Sequence, residues 1–272
     1  MTLFQAFLLG IVQGLTEFIP VSSTAHLLIF GNLLGLPADE KTFSFSVIIQ
    51  LGTVVAMLAF FWKDIWQITS AFFLGIKNKK PFEDLYSRLG WLVIAASIPA
   101  LIAGYVLQDA VEALFRQPML EASIRLLTAA VLLALAEWFS KKDRELDSMS
   151  WLDALIIGLM EVIAVFPGAS RSGTTIAGGM LRGFDRPSAA RFSFLMSGPI
   201  LLAAGIYQSL QVFNMSGLTE FLPNLVVGFV TAAVVGWLSI KWLIGYLGRR
   251  SLYIFAIYCA LVGVLLLFTQ FI

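Results

Sequence analysis

The sequence predicts an all-α polytopic membrane protein with six transmembrane helices and two re-entrant helical hairpins, arranged as an inverted-topology repeat. Three observations support this fold class. Hydrophobic residues make up 59% of the 272 residues, charged residues only 13%, and the mean hydropathy is +0.88, values outside the usual range of soluble domains. Six apolar runs are long enough to cross a bilayer. Two further apolar stretches are interrupted by polar residues, and a glutamate precedes each interruption.

The six spans are predicted by length, because crossing about 30 Å of hydrocarbon takes roughly 20 helical residues. Runs close to that length cover residues 43–62, 90–107, 121–139, 190–210, 222–244 and 252–272. Residues 2–36 and about 151–183 are also apolar, but each is broken in the middle, and each half is too short to span. Irregular backbone at this depth is tolerated only where protein or water satisfies it. Both stretches are therefore predicted to be re-entrant hairpins, with two tight spans per stretch as the alternative.

The polar features of the chain occur twice. A Gly-Leu-Thr-Glu segment ending at Glu17 returns as Gly-Leu-Met-Glu ending at Glu161, and a Phe-Ser-Phe segment beginning at Phe43 returns at Phe192. Each half of this single membrane domain, about 1–140 and 141–272, then contains one hairpin and three spans. Three is odd, so the second half must insert upside down. Inverted repeats place their shared site near the bilayer midplane.

The distribution of Lys and Arg sets the orientation. Fourteen of the 18 basic residues fall on one side of this topology, while Lys41, Arg116 and Arg125 fall on the other and Arg171 is kept aside for the site. Basic loops face the cytoplasm, so both termini are predicted outside it. The first hairpin then enters from outside and the second from the cytoplasm. The N-terminus lacks a basic segment, so no cleaved signal peptide is expected.

The break in the first hairpin carries a polar cluster. Glu17 and His26 are the only ionisable side chains of residues 1–36, and Gln13 lies one helical turn before Glu17, on the same face. A glutamate at this depth must be paired, protonated or bound to a cation. The second half-helix starts after Ser22, Ser23 and Thr24. Its free N–H groups suit a phosphate, and His26 beside them is suited to act as acid or base. The structural alternatives are a hydrogen bond from Glu17 to the other hairpin, N-cap serines and an interfacial histidine.

The second hairpin places an arginine among glycines and hydroxyl residues. An arginine at this depth needs a permanent anion, and its planar fork suits phosphate oxygens, which glycines let the backbone approach closely. The rival interpretation is an ion pair from Arg171 to Glu17 or Glu161 that only locks the halves together. The candidate binding residues around Arg171 are Gly168, Ser170, Ser172, Gly173, Thr174 and Thr175.

Residue counts exclude several other sites. One cysteine, Cys259, and one histidine allow neither an internal disulfide nor a Cys/His zinc site, so any metal must be a hard ion held by oxygens. The second segment lacks the Gly-Lys-Ser/Thr ending of a P-loop. Lipid phosphatases of the acid-phosphatase type pair two histidines with their arginine, so a chain whose single histidine is His26 does not fit that class. No nucleic-acid partner is expected.

Both polar segments resemble the signatures of the undecaprenyl-diphosphate phosphatases, the bacitracin-resistance type of bacterial membrane enzyme that recycles the cell-wall lipid carrier. Residues 13–26 match Glu/Gln-x-x-x-Glu leading into Pro-Val-Ser-Ser-Thr-x-His, and residues 167–175 match Pro-Gly-x-Ser-Arg-Ser-Gly-x-Thr. The chain departs from the family's frequent pattern in having Gln13 instead of a first glutamate and Ala25 instead of glycine. The first change removes one negative charge from a two-carboxylate metal site.

The resemblance implies hydrolysis of a polyprenyl lipid, undecaprenyl diphosphate, to the monophosphate and inorganic phosphate in the bacterial inner membrane, with Mg²⁺ or Ca²⁺. Carried over by position, it implies that Glu17 and His26 are catalytic, that Arg171 acts in catalysis by clamping the diphosphate, and that Ser23, Ser170 and Thr175 line the site. The further candidate substrate-binding residues are Gln13, Ser22, Thr24, Gly168, Ser172, Gly173 and Thr174, and the candidate metal ligands are Glu17 and Gln13. Ser23 is the candidate nucleophile, with His26 or Glu17 taking its proton. Direct attack by a metal-bound water is the competing mechanism.

Two other function classes are weighed against an enzyme. A transporter of a small anion or of the lipid carrier is the main one, since inverted repeats with broken helices are typical of alternating access; a structural scaffold is the other. A nucleophile, a histidine and an arginine in one predicted site favour an enzyme, and the entry side of the first hairpin favours an externally open site. Small residues within 225–245 are compatible with packing between subunits of a homodimer.

Overall fold

The computed structural model describes residues 1–37, 39–107, 117–165, 169–213 and 217–269. Most of these residues lie in α-helices, so the all-helical architecture predicted from composition is confirmed. Eleven α-helices lie within the described ranges: α1 (Leu3–Thr16), α2 (Ser23–Leu33), α3 (Glu40–Phe60), α4 (Trp62–Lys77), α5 (Leu85–Val106), α6 (Pro118–Phe139), α7 (Trp151–Val165), α8 (Arg171–Leu181), α9 (Arg186–Phe213), α10 (Leu218–Leu247) and α11 (Tyr253–Phe268).

Among the described residues, five helices are long and apolar enough to cross a bilayer, namely α3, α5, α6, α9 and α10. Each overlaps most of a run that the sequence predicts as a span. The sixth predicted run, residues 252–272, contains α11, which has only 16 described residues. The chain is a multi-pass membrane protein, and the sixth span stays a prediction.

Both interrupted stretches form two short helices around a break. The first stretch contains α1 and α2, separated by residues 17–22, and the second contains α7 and α8; the two helices of each stretch pack against each other. These helices have 14, 11, 15 and 11 residues. At 1.5 Å per residue they are about 16–23 Å long, so none of them crosses about 30 Å of hydrocarbon alone.

Helix α4 is an element that the sequence analysis missed, because its basic residues were assigned to a cytoplasmic loop. It follows α3 after one residue, Phe61, and packs against α5. Its 16 residues are too few to span a bilayer, and Trp62 and Trp66 remain exposed on its surface. Apolar and polar residues at helical spacing are the signal that would have identified this amphipathic helix.

Glycines permit two close crossings that hold the broken helices in place. Gly14 of α1 lies against α10, where an added Cβ would meet the Gly236 nitrogen at 2.8 Å. Gly158, its sequence equivalent on α7, lies against α5, where an added Cβ would meet the Ala96 carbonyl oxygen at 2.2 Å. In both crossings the neighbouring atom belongs to a helix backbone, so it has no side-chain freedom with which to yield.

We expect Gly158→Ala to destabilise the protein, because the new methyl group would push α7 and α5 apart, and overpacking of this kind typically costs about 1–3 kcal/mol. Gly245→Ala on α10 is the control, since nothing lies within 4 Å of its added Cβ and alanine is the better helix former. Thermal unfolding of the purified protein, followed by circular dichroism, measures both. Equal melting temperatures for the two variants would contradict the packing described here.

The small residues that the sequence offers for packing between subunits are largely used inside the molecule. An added Cβ on Gly228 would meet the Phe45 ring at 2.5 Å, and one on Gly236 would meet Ala56 and Phe18. Ala232 between them is fully buried. These residues pack α10 against α1 and α3, and the homodimer stays a prediction.

Candidate active site

An ion pair joins the first helix pair, α1 and α2, to the second helix pair, α7 and α8. Arg171 is the first residue of α8, and its Nη2 donates to Oε1 of Glu17, which directly follows α1. Glu17 is only 3% exposed. The ion pair that the sequence analysis considered as a rival to phosphate binding is therefore present. It also brings together the carboxylate and the guanidinium on which a shared phosphate site depends.

The second carboxylate oxygen of Glu17 accepts hydrogen bonds from two polar side chains of the first helix pair. Glu17 Oε2 accepts hydrogen bonds from Gln13 Nε2 at 2.8 Å and from Ser23 Oγ at 2.7 Å. Gln13 reaches it because residues four apart lie on one face of a helix. Four of the predicted site residues, Gln13, Glu17, Ser23 and Arg171, thus form one hydrogen-bonded group that spans both breaks.

The turn before α2 is strained in a way that presents Ser23. Ser22 has a φ of 68° and caps α2, accepting a hydrogen bond from the Ala25 N–H at 3.4 Å. Left-handed backbone at a residue other than glycine costs on the order of 1–3 kcal/mol and is concentrated at functional sites. Here it lets α2 begin at Ser23 with the hydroxyl directed at Glu17. Thr24, the next residue, has an exposed side chain.

His26 is buried rather than interfacial, and both ring nitrogens have partners. Nδ1 lies 2.9 Å from the Ser22 carbonyl oxygen and Nε2 lies 2.7 Å from the Tyr258 hydroxyl. Only a protonated nitrogen can pair with the carbonyl, so Nδ1 donates and Nε2 of a neutral ring accepts from Tyr258. Neither bond reaches Ser23, whose hydroxyl contacts the Glu17 carboxylate instead. Tyr258 on α11 was missed, because nothing in the spacing of the chain links it to His26.

The start of α8 is organised by its own hydroxyl groups. Ser170 caps the helix by accepting from the Gly173 N–H at 3.3 Å, and Thr174 and Thr175 donate to the Arg171 carbonyl at 2.9 Å and 2.8 Å. Thr175 also shares a hydrogen bond with Ser193 of the second Phe-Ser-Phe segment. Ser172 is buried, and Gly168 lies outside the described residues. These contacts fix the turn that presents Arg171.

Arg125 is a second residue that the sequence analysis missed, and its assignment to an outer loop was wrong. It lies within α6, 7% exposed, and its Nε donates to Glu121 Oε1 at 2.8 Å. Its Nη1 donates to the Ala169 carbonyl at 2.9 Å, two residues before Arg171. The predicted span 121–139 already contained both charges, and charges inside a span usually have a function.

Comparison with known proteins places the chain in a family. The family model described as Bacitracin resistance protein BacA matches residues 6–265. The chain belongs to the BacA family. An undecaprenyl-diphosphatase of Chloroherpeton thalassium is 44% identical over 275 residues, covering 98% of this chain and 96% of that protein. One from Anaeromyxobacter dehalogenans is 44% identical over 260 residues, covering 95% and 88%. The resemblance drawn from the two motifs is confirmed.

Two buried polar atoms of this BacA chain lack hydrogen-bond partners within the described ranges and lie in the group joined at Glu17. Arg171 Nη1 is a donor and Gln13 Oε1 is an acceptor. An unpaired buried polar group is expensive. A ligand with negative oxygens would satisfy the donor, and a hard cation would satisfy the acceptor, so the pair suits a phosphate bound together with a metal ion.

Proposed function

We propose that this chain hydrolyses undecaprenyl diphosphate to undecaprenyl phosphate and inorganic phosphate. The activity would recycle the lipid carrier for peptidoglycan synthesis in the bacterial inner membrane and confer resistance to bacitracin. The observation that carries the proposal is the bonded group of Gln13, Glu17, Ser23 and Arg171. It unites a hydroxyl nucleophile, a carboxylate base and a guanidinium in a chain whose relatives are named undecaprenyl-diphosphatase.

Binding of the diphosphate would use groups at the start of two helices. Arg171 Nη1 is the free donor, and α2 and α8 both begin at the break, with backbone N–H groups and positive dipole ends that favour anions. Ser22, Thr24, Ser170, Ser172, Gly173, Thr174 and Thr175 are the proposed surroundings of the phosphates, with Gly168 a prediction outside the described residues. The polyprenyl tail would lie in the bilayer between helices.

The chemical step would begin at Ser23. Its hydroxyl already donates to Glu17 Oε2, so Glu17 can take the proton as Oγ bonds to the terminal phosphorus and the bond from that phosphorus to the bridging oxygen breaks. Undecaprenyl phosphate leaves, and water then cleaves the phosphoserine to release inorganic phosphate. Arg171 would stabilise the charge on the phosphoryl oxygens. His26, one helical turn after Ser23, and Tyr258 would deliver a proton to the phosphate products.

A divalent cation, Mg²⁺ or Ca²⁺, belongs to this proposal, and the residues fit such an ion. Gln13 Oε1 is a buried oxygen without a partner, and the Glu17 carboxylate is one turn away. In the described part of the chain no group of three or more His, Cys, Asp or Glu side chains is suitable for a metal. Mg²⁺ commonly binds in this manner, with one or two carboxylates and the substrate phosphates as ligands. When bound, the cation supplies positive charge to the phosphoryl oxygens.

The inverted repeat is also part of the proposal, with six spans, two re-entrant hairpins and both termini outside the cytoplasm. Packing supports it: α1 lies against α10 through Gly14, and α7 lies against α5 through the equivalent Gly158. In an inverted repeat, α1 corresponds to α7 and α10 corresponds to α5. The contact between α1 and α10 is then the counterpart of the contact between α7 and α5. Because Arg125 lies within α6, the basic residues counted on the outer side fall to Lys41 and Arg116, against fourteen on the predicted cytoplasmic side.

We expect Glu17→Gln to lower kcat about 10²–10⁴-fold, the usual contribution of a general base. The amide keeps the shape of the side chain but cannot accept the Ser23 proton as a carboxylate does. Initial rates of phosphate release by the purified protein measure the loss. Glu83→Gln, which removes an exposed glutamate paired with Lys80, is the control and should retain activity. Full activity of Glu17→Gln would remove Glu17 from the role of base.

Phosphate release in sealed vesicles of known sidedness tests function and access together. The proposal predicts stoichiometric phosphate release from undecaprenyl diphosphate with Mg²⁺, and release on the external side if the first hairpin opens outward. A transporter or flippase would move the lipid or an anion across the bilayer and release no phosphate. Absence of release above that of an Arg171→Ala protein in detergent would reject the enzyme.

A further inference from the structure

Glu161 is a buried carboxylate that the proposed mechanism does not use. It lies on α7 and is 3% exposed, and neither of its carboxylate oxygens has a hydrogen-bond partner among the residues the structure describes. Burying a carboxylate without partners is costly, and in a membrane protein such a residue usually marks a functional site.

Glu161 differs in this respect from the other buried carboxylates of the described ranges, each of which has a basic partner. The pairs are Glu17 with Arg171, Glu121 with Arg125, Glu137 with Arg186, and Asp153 with Arg144. Glu161 is therefore a buried carboxyl group that no ion pair holds within these ranges. Glu17, in contrast, is already neutralised by Arg171, so Glu17 alone offers little net charge to a cation.

The packing of α7 against α8 locates Glu161 at the break. An added Cβ on Gly178 would meet Met160, and one on Gly179 would approach Ile157. Glu161 lies one turn beyond Ile157 on α7, which packs against α8. Arg171 is the first residue of α8, and its charge acts on the Glu161 carboxyl group. Both glutamates of the repeated segment thus lie near the same guanidinium.

Two buried side chains near the break have acceptor oxygens without hydrogen-bond partners among the described residues. These oxygens are Oε1 of Gln13 and both carboxyl oxygens of Glu161. The Gln13 amide nitrogen is fixed on Glu17, which leaves the oxygen as the free end of that side chain. Neutral and anionic oxygens are the ligands of hard divalent cations.

We propose that Glu161 is a ligand of the divalent cation in this site, and that the second helix pair thereby contributes the second carboxylate. The inference rests on the proposed function and deepens it. A cation of the Mg²⁺ class would be held by Glu161 and Gln13 from opposite helix pairs, with Glu17 and the diphosphate oxygens completing its surroundings. The negative charge that Gln13 lacks is supplied in this chain by Glu161.

Direct binding of Mn²⁺ to the full-length protein in detergent, measured by the electron paramagnetic resonance signal of free Mn²⁺, tests this assignment without relying on activity. We expect Glu161→Gln to weaken Mn²⁺ binding about 10-fold or more, as loss of a metal-site residue generally does. Glu220→Gln, on the first turn of α10, is the control and should bind Mn²⁺ as the parent does. Adding Gln13→Glu to Glu161→Gln should restore much of the affinity, because it returns a carboxylate to the site.

Unchanged Mn²⁺ affinity in a folded Glu161→Gln protein would overturn the assignment. If that variant does not fold, Glu161→Asp replaces it, since it keeps the charge and shortens the side chain; unchanged affinity there, with no gain from Gln13→Glu, would also contradict the assignment. The two proposals fail separately. Phosphate release by the parent protein together with unchanged Mn²⁺ binding in Glu161→Gln would reject this inference alone. Weakened Mn²⁺ binding in Glu161→Gln together with no phosphate release by the parent protein would reject the phosphatase and leave the cation site.

Discussion

Ser23→Ala is expected to lower kcat about 10³-fold or more and to change KM little, since removing a nucleophile abolishes the chemical step while binding groups remain. Ser23 Oγ donates to Glu17 Oε2 at 2.7 Å, so the hydroxyl and its base are already in contact. Initial rates of phosphate release over a range of undecaprenyl diphosphate concentrations give kcat and KM separately.

Ser22→Ala is the matched comparison, because it removes the neighbouring hydroxyl. Ser22 caps α2, and loss of an N-cap side chain costs about 1 kcal/mol of stability, so a smaller loss of activity is expected. Equal losses in kcat for the two variants would remove Ser23 from the nucleophile role and favour direct attack by water.

Arg171→Ala is expected to reduce kcat/KM by about 10³-fold or more, with KM also raised. The substitution removes the guanidinium that would bind the diphosphate and stabilise the transition state, and it leaves the buried Glu17 without its counterion. Arg171→Lys should recover part of the loss, because lysine keeps the charge but not the planar fork of donors. The same phosphate-release assay measures both variants.

Arg182→Ala controls for the loss of an ion-paired arginine from the same helix. Arg182 directly follows α8 and donates to Asp153 at 2.7 Å. Its removal should lower the melting temperature without the same fall in kcat/KM of the folded protein. If Arg182→Ala and Arg171→Ala lose activity equally, Arg171 acts only by holding the helices together.

The hydropathy of the chain and the polar interruptions of its apolar stretches are the sequence features that predict the fold. Polar breaks at residues 17–22 and before Arg171 divide both apolar stretches as expected, because neither Pro20 nor a run of hydroxyl residues continues a helix easily. Helix α4 was not predicted, since its Lys63 and Lys77 counted as loop charges. Amphipathic helices carry such charges on one face, which a count of basic residues does not distinguish.

The candidate site is predictable where its residues are close in sequence. The spacing of Gln13 and Glu17 and the arginine within a glycine-rich break both identify groups that meet in the structure. Tyr258 and Arg125 were missed, because their partners His26 and Ala169 are distant along the chain. Contacts of this kind follow from the packing of α11 and α6, which no local pattern encodes.

A double-mutant cycle between Glu17 and Arg171 tests most directly whether the two helix pairs contribute to one site. The conservative changes Glu17→Gln and Arg171→Lys keep enough activity to measure phosphate release from undecaprenyl diphosphate with Mg²⁺. If the two residues act as a unit, the double variant will be little worse than the weaker single variant, as is typical of coupled catalytic residues. Losses that multiply in the double variant would show independent action and contradict a shared site.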